Sequence, residues 1–121
     1  MSRFACIFLI CCVFLAVPAA HAEKTFFFDS LYDVPIMPGL SEIPDMALSF
    51  DHPEGRIAQA AAAGSGVSPE AVLSFYDAAL PALGWVVLSP GHYARDGEIL
   101  EIEAAMQGSQ AAVRFNLSPS H

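Results

Sequence analysis

At Gly84 the apolar periodicity of this chain changes from that of a helix to that of strands, and this switch restricts the fold more than any other feature. Before it, Val72, Phe75, Tyr76, Ala79, Leu80 and Leu83 follow the i, i+3, i+4, i+7, i+8, i+11 spacing of one helical stripe. Ser68 is a good N-cap, Pro69 fits the first helical position, and Glu70 favours the positive end of the helix dipole. Gly84 suits the left-handed residue that ends a helix, while Pro81 withholds the donor that would reach Asp77. The last turn is therefore expected to kink or stop early. After the switch, Trp85 to Ser89 and His92 to Arg95 read as strands around a Pro90-Gly91 turn, and Asp96-Gly97 is a type I′ hairpin signal. Leu100, Ile102 and Ala104 alternate with Ile99, Glu101 and Glu103. Beyond Gln107-Gly108-Ser109, Ala111, Val113, Phe115 and Leu117 alternate with Ala112, Arg114 and Asn116. Such alternation describes a sheet with one buried and one wet face, and the amphipathic helix is its natural cover.

Upstream of the helix, Met46 to Asp51 reads as a short strand and His52-Pro53-Glu54-Gly55 as a turn. Arg56 to Ala63 carries conflicting signals. The alanine run favours helix by propensity, but the segment is short and the preceding turn suits a hairpin, so a strand is expected. The expected fold is α+β: one antiparallel sheet with element order β-β-α-β-β-β-β and one helix packed on one face. An extended, proline-rich arm over residues 23–45 precedes the α+β domain, residues 46–121. Pro35, Pro38 and Pro44 leave that arm no helical window, yet Phe26, Phe27, Phe28, Leu31, Tyr32, Val34, Ile36, Met37 and Leu40 make it too apolar for a free linker. It either covers its own domain's core or presents Phe26, Phe27, Phe28, Tyr32, Ile36, Met37 and Leu40 to a partner.

Residues 1–22 read as a cleavable signal peptide. Arg3 gives the positive n-region, Phe4 to Val17 the apolar run, and Ala20-His21-Ala22 the small-x-small cleavage pattern. As a helix that run spans roughly 21 Å, short of a ~30 Å hydrocarbon core, although a count carried to Ala22 leaves an uncleaved anchor open. All three cysteines, Cys6, Cys11 and Cys12, lie inside it, so the cleaved product, Glu23 to His121, holds no thiol. Loss of Arg3 takes the formal charge from −8 to −9, with Lys24, Arg56, Arg95 and Arg114 against all thirteen acids. That balance excludes a nucleic-acid partner, which needs clustered Lys and Arg, and disfavours anionic headgroups. The expected location is periplasmic or secreted, with no stable membrane span once the signal is removed.

The run Val72-Leu73-Ser74-Phe75-Tyr76, followed by Leu80-Pro81-Ala82-Leu83-Gly84-Trp85, resembles a motif of small exported bacterial domains of unknown function, in which a helix ending "FY…L…GW" leads into an antiparallel meander. Asp33-Val34-Pro35-Ile36-Met37-Pro38-Gly39-Leu40, and Phe50-Asp51 followed by Gly55-Arg56-Ile57, are similar to other parts of such proteins. The resemblance covers most of the chain beyond residue 22. It implies the fold and the export and transfers no reaction and no site residue. Ala60 to Ala63 is blander than a strand in these domains usually is.

Chemistry is sparse. His52 beside Asp51 and near Glu54, and His92 near Asp96 and Glu98, are the polar candidates. His121 is terminal, and no histidine pair has zincin spacing, so neither a metal site nor a cofactor site is legible. Gly64-Ser65-Gly66 either carries the strand to the helix or holds an anion at its N-terminus. Glu101 and Glu103 share a strand face as a carboxylate pair or as simple solvation. Tyr76, Trp85 and Tyr93, with His52 and His92, would line a small-molecule pocket if one exists. The expected role is a non-enzymatic envelope interaction or structural module, contacting an envelope protein or itself through the arm or an unpaired sheet edge. The alternative is a small-molecule or metal-ion binder.

Overall fold

The computed structural model describes Thr25 to Ser120; the signal-like segment 1–22 with its three cysteines, and also Glu23, Lys24 and His121, lie outside the described residues. The helix forms where its signals fall. Ser68 Oγ accepts the Ala71 N–H at 3.1 Å, Pro69 opens the helix, and α1 runs Pro69–Ala79. Pro81 ends it as its missing donor demands, and Pro81–Leu83 winds on as a single 3-10 turn closed by Gly84 at φ 93°. That tighter turn carries Leu83 off the apolar stripe, where it is 39% exposed. The Trp85 N–H then donates to the Leu80 carbonyl at 3.1 Å, so Trp85 completes the helix cap rather than starting a strand.

Six strands follow the expected order around α1. A hairpin of β4 (Leu48–His52) and β5 (Gly55–Ser65) precedes it, and β6 (Val86–Ser89), β7 (His92–Arg95), β8 (Glu98–Gln107) and β9 (Gln110–Pro119) follow as a meander. The meander returns so that β9 pairs antiparallel with β5, with Ala60 opposite Phe115 and Ala62 opposite Val113. The sheet order is β5-β9-β8-β7-β6, and the outer side of β5 is taken by β4 and by a two-residue strand, β3 (Ser41–Glu42). Asp96 at φ 49° and Gly97 at φ 80° make the β7–β8 hairpin turn that their chemistry demands. Between β3 and β4 the edge is broken by a 3-10 turn at Pro44–Met46, which takes Met46 out of the strand expected to begin there.

The conflict over Arg56 to Ala63 is settled by pairing. The segment is the second rung of the sheet, bonded to β3 and β4 on one side and β9 on the other, and those ladders outweigh the helix propensity of alanine. Why the strand is alanine-rich becomes plain from what lies over it. The arm forms a small separate ribbon, β1 (Phe26–Phe27) with β2 (Pro35–Ile36), whose loop buries Phe28, Leu31 and Val34. These join Leu40, Ala58, Ala60, Ala62, Phe115 and Leu117 in the same core cluster as Val72, Tyr76 and Leu80 of the helix. The buried face of the sheet therefore has two covers, α1 and the arm. At Gly64 the arm backbone rests on the strand itself, for a Cβ added there would overlap the Gly39 carbonyl oxygen and press Leu40 Cδ2 at 3.2 Å. The chain then wraps round the end of β5 to become β3. Gly64→Ala is expected to lower unfolding free energy in urea by about 1–3 kcal/mol, because the obstructing atom is backbone and cannot rotate away.

Candidate functional site

The five residues expected to line a ligand pocket do not meet. Tyr76, Trp85 and Tyr93 are 0%, 2% and 0% exposed and belong to the core. The Tyr76 hydroxyl donates to the Pro35 carbonyl at 2.7 Å and accepts the Met37 N–H at 3.1 Å, so it fastens the arm to the helix. Its ring stands edge-on to Phe75 and Phe115, 4.9 and 5.3 Å between centroids. The Tyr93 hydroxyl donates to Asp77 Oδ1 at 2.6 Å, tying β7 to α1. Burial pushes both phenols well above the usual tyrosine range, and for Tyr93 the bond to the Asp77 carboxylate adds to it. His52 is exposed at the end of β4, its Nδ1 accepting the Glu54 N–H at 3.3 Å. His92 is exposed on β7, with Nδ1 3.2 Å from Ser89 Oγ and 3.4 Å from the Pro90 carbonyl, and its cross-strand neighbour is Glu101. Three strands separate the two histidines, and among the described residues no three His, Cys, Asp or Glu side chains are grouped to hold a metal. Glu103 lies 4.0 Å from Arg114 on the open face, both well exposed.

The polar constellation that does form is one the sequence reading missed. Asp33, in the arm loop, pairs with Arg95 of β7 and, at 3.5 Å, with Arg56 of β5; Arg56 also reaches Glu98 of β8 at 3.4 Å. These side chains retain only 17–20% of their exposure. The Arg95 guanidinium lies 4.3 Å over the Trp85 ring and donates to the Leu83 carbonyl at 3.0 Å, while Arg56 lies 4.9 Å over the exposed Tyr32 ring. Desolvation works to lower the Arg56 pKa, but hydrogen bonding and attraction from Glu98 and Asp33 outweigh it and raise the net value. Chemically this is a clamp. Two guanidiniums hold two carboxylates through charge-assisted bonds. Asp33 Oδ1, Arg56 Nη1, Arg95 Nε and Trp85 Nε1 are buried without a protein partner among the described residues, so the cluster positions the arm more than it stabilises it.

Of the arm residues expected to meet a partner, Phe28 and Leu40 are buried, Ile36 and Met37 lie half-buried against the core, and Phe26, Phe27 and Tyr32 are exposed at 62%, 44% and 69%. Phe26, Ile36, Met37, Pro38, Leu40 and Phe75 line an open apolar groove of about 490 Å³ between arm and helix. A second apolar surface was not singled out by residue beforehand. It is the outer edge of β6, where Val86, Val87 and Leu88 are 61%, 40% and 59% exposed; at the opposite edge Met46, Leu48 and Phe50 are exposed too, at 50%, 46% and 46%. No helix among the described residues is long and apolar enough to cross a membrane.

Two expectations follow. Arg95→Ala should remove about 1–3 kcal/mol in denaturant unfolding by leaving the part-buried Asp33 carboxylate only its longer contact with Arg56. It should also alter the emission of Trp85, the chain's one tryptophan. Alkaline stability should be limited by the raised phenols. Their stabilisation is complete below the unfolded tyrosine value of about 10 and is lost as pH rises above it, because the unfolded chain releases those protons first. The thermal midpoint should fall steadily from about pH 10 upward, and Tyr76→Phe should flatten that fall while lowering stability at neutral pH. Comparison with protein-family models, curated proteins and solved structures finds no match to this chain.

Proposed function

We propose that this chain is an exported, non-enzymatic interaction or structural module of the bacterial envelope, and that its docking surface is the edge of β6. Support for export comes from the signal-like residues 1–22 and from the acidic, thiol-free remainder. The observation that carries the interaction reading is the contrast between the two edges of the sheet. The β3–β4 edge is guarded: Pro44 and its 3-10 turn break it, and Asp45 and Asp51 charge it. Both edge strands are exposed along their length, Leu48 and Phe50 of β4 included, but the β6 edge carries no charge: Val86, Val87 and Leu88, followed by Ser89, lie open to solvent, and an uncharged exposed edge accepts a further strand.

A photo-crosslinking residue at Leu88 in the full chain, expressed in living cells, tests this reading. The expected result is a protein adduct at Leu88, none from a control at Gln59 on the open face, and recovery from the envelope fraction with Glu23 as N-terminus. A cytoplasmic chain, or no adduct from Leu88, would overturn it. The groove beside Phe26 favours a second reading, a carrier of a small apolar molecule, since its volume falls within the range of ligand sites. A ligand there should raise the thermal midpoint in proportion to its saturation, and Phe75→Ala should abolish the rise. No shift across a panel of apolar envelope metabolites would remove that reading.

A further inference from the structure

Resting on the reading of β6 as a docking edge, we infer that its occupant is a second copy of this chain, paired β6 to β6 antiparallel across a twofold axis perpendicular to the sheet. Charge argues for the copy. The exported product is strongly acidic, and two such surfaces repel wherever acids face each other. Between Asp77 and Arg95 there is no Asp, Glu, Lys or Arg, and β6 lies in the middle of that interval. This is where two copies meet with least repulsion, whereas a partner recognised by opposite charge finds nothing there to bind.

Geometry selects the same partner. Pairing of β6 with the opposite edge of another copy would run without end, and the Pro44 turn with Asp45 and Asp51 blocks it. Pairing of β6 with β6 closes on itself. A twofold perpendicular to the sheet keeps the wet face of one copy continuous with that of the other. The apolar cross-strand row Ile99, Ala94, Val86 would then run on into the row of the second copy. The register irregularity lies in β6 itself: Val87 pairs with Tyr93 and Ser89 with His92, so Leu88 is the extra residue, 59% exposed, and Val86 before it is 61% exposed. A four-residue edge makes a small interface, so the dimer is weak and reversible.

Sedimentation equilibrium of the protein as recovered from expressing cells, its N-terminus fixed by intact mass, tests the inference. The average mass should climb from one copy toward two between about 5 and about 500 µM, the range a small interface calls for. Leu88→Lys should move the midpoint at least tenfold higher, and mixing Leu88→Lys with Leu88→Glu should bring the two-copy mass back. Both side chains replace one that is more than half exposed, so circular dichroism and thermal midpoint should match the wild type. A one-copy mass throughout, or a dimer indifferent to Leu88→Lys, would overturn the inference. If the Leu88 adduct in cells is then a different protein, the docking edge stands and the self-pairing fails; if there is no adduct either, both fail.

Discussion

Everything in this domain depends on the arm lying directly on β5. Gly64 has no side chain where the Gly39 carbonyl crosses it, and Ala58, Ala60 and Ala62 offer only methyl groups beneath Phe28, Leu31, Val34 and Leu40. Larger side chains on that strand would hold the arm off and open the core beneath it. Because α1 covers only part of the sheet, the arm's apolar residues are the other half of a two-part lid. In a chain with no thiol beyond residue 22, that burial has no disulfide to share the task. The Tyr76 hydroxyl, at Pro35 and Met37, and the Arg56–Asp33–Arg95 cluster then fix the lid's register.

Much of the fold was legible because its signals are local. Ser68-Pro69-Glu70, the stripe through Tyr76 and Leu80, Pro81, Gly84 and Asp96-Gly97 each act within a few residues of themselves, and the structure realises each of them. The alanine run was ambiguous because its reason is nonlocal: what selects alanine there is the arm, some twenty residues earlier in the chain. The arm's apolar content announced that something must bury it but not what. The ion cluster escaped notice because its members are scattered from Asp33 to Glu98. A signal was present in the alternation itself. Arg56, Arg95 and Glu98 all fall on the buried parity of their strands, with Ala58, Tyr93 and Leu100, and charges on that parity need partners.

The same parity clarifies what Tyr76, Trp85 and Tyr93 do. Their spacing resembles a ligand-lining trio as much as a core, and only the three-dimensional arrangement separates the two roles. Each spends its polar end or ring face on the protein itself: Tyr76 on the arm backbone, Tyr93 on Asp77, Trp85 under Arg95. The groove by Phe26 and the bare edge of β6 lie apart from these three side chains. The contrast between a guarded edge and an open one is the feature from which the functional proposal grows.

Hydrogen exchange of the arm amides tests the central claim most directly. The Phe28, Met37 and Leu40 N–H groups are bonded to the Val34 carbonyl, the Tyr76 hydroxyl and the Met37 carbonyl respectively. If the arm is half of the core's lid, these amides should exchange only by global unfolding, with the same free energy and denaturant dependence as amides of β9. Exchange through a low-energy local opening, with β9 still protected, would contradict the account, since the arm would then be a strap laid over a core complete without it.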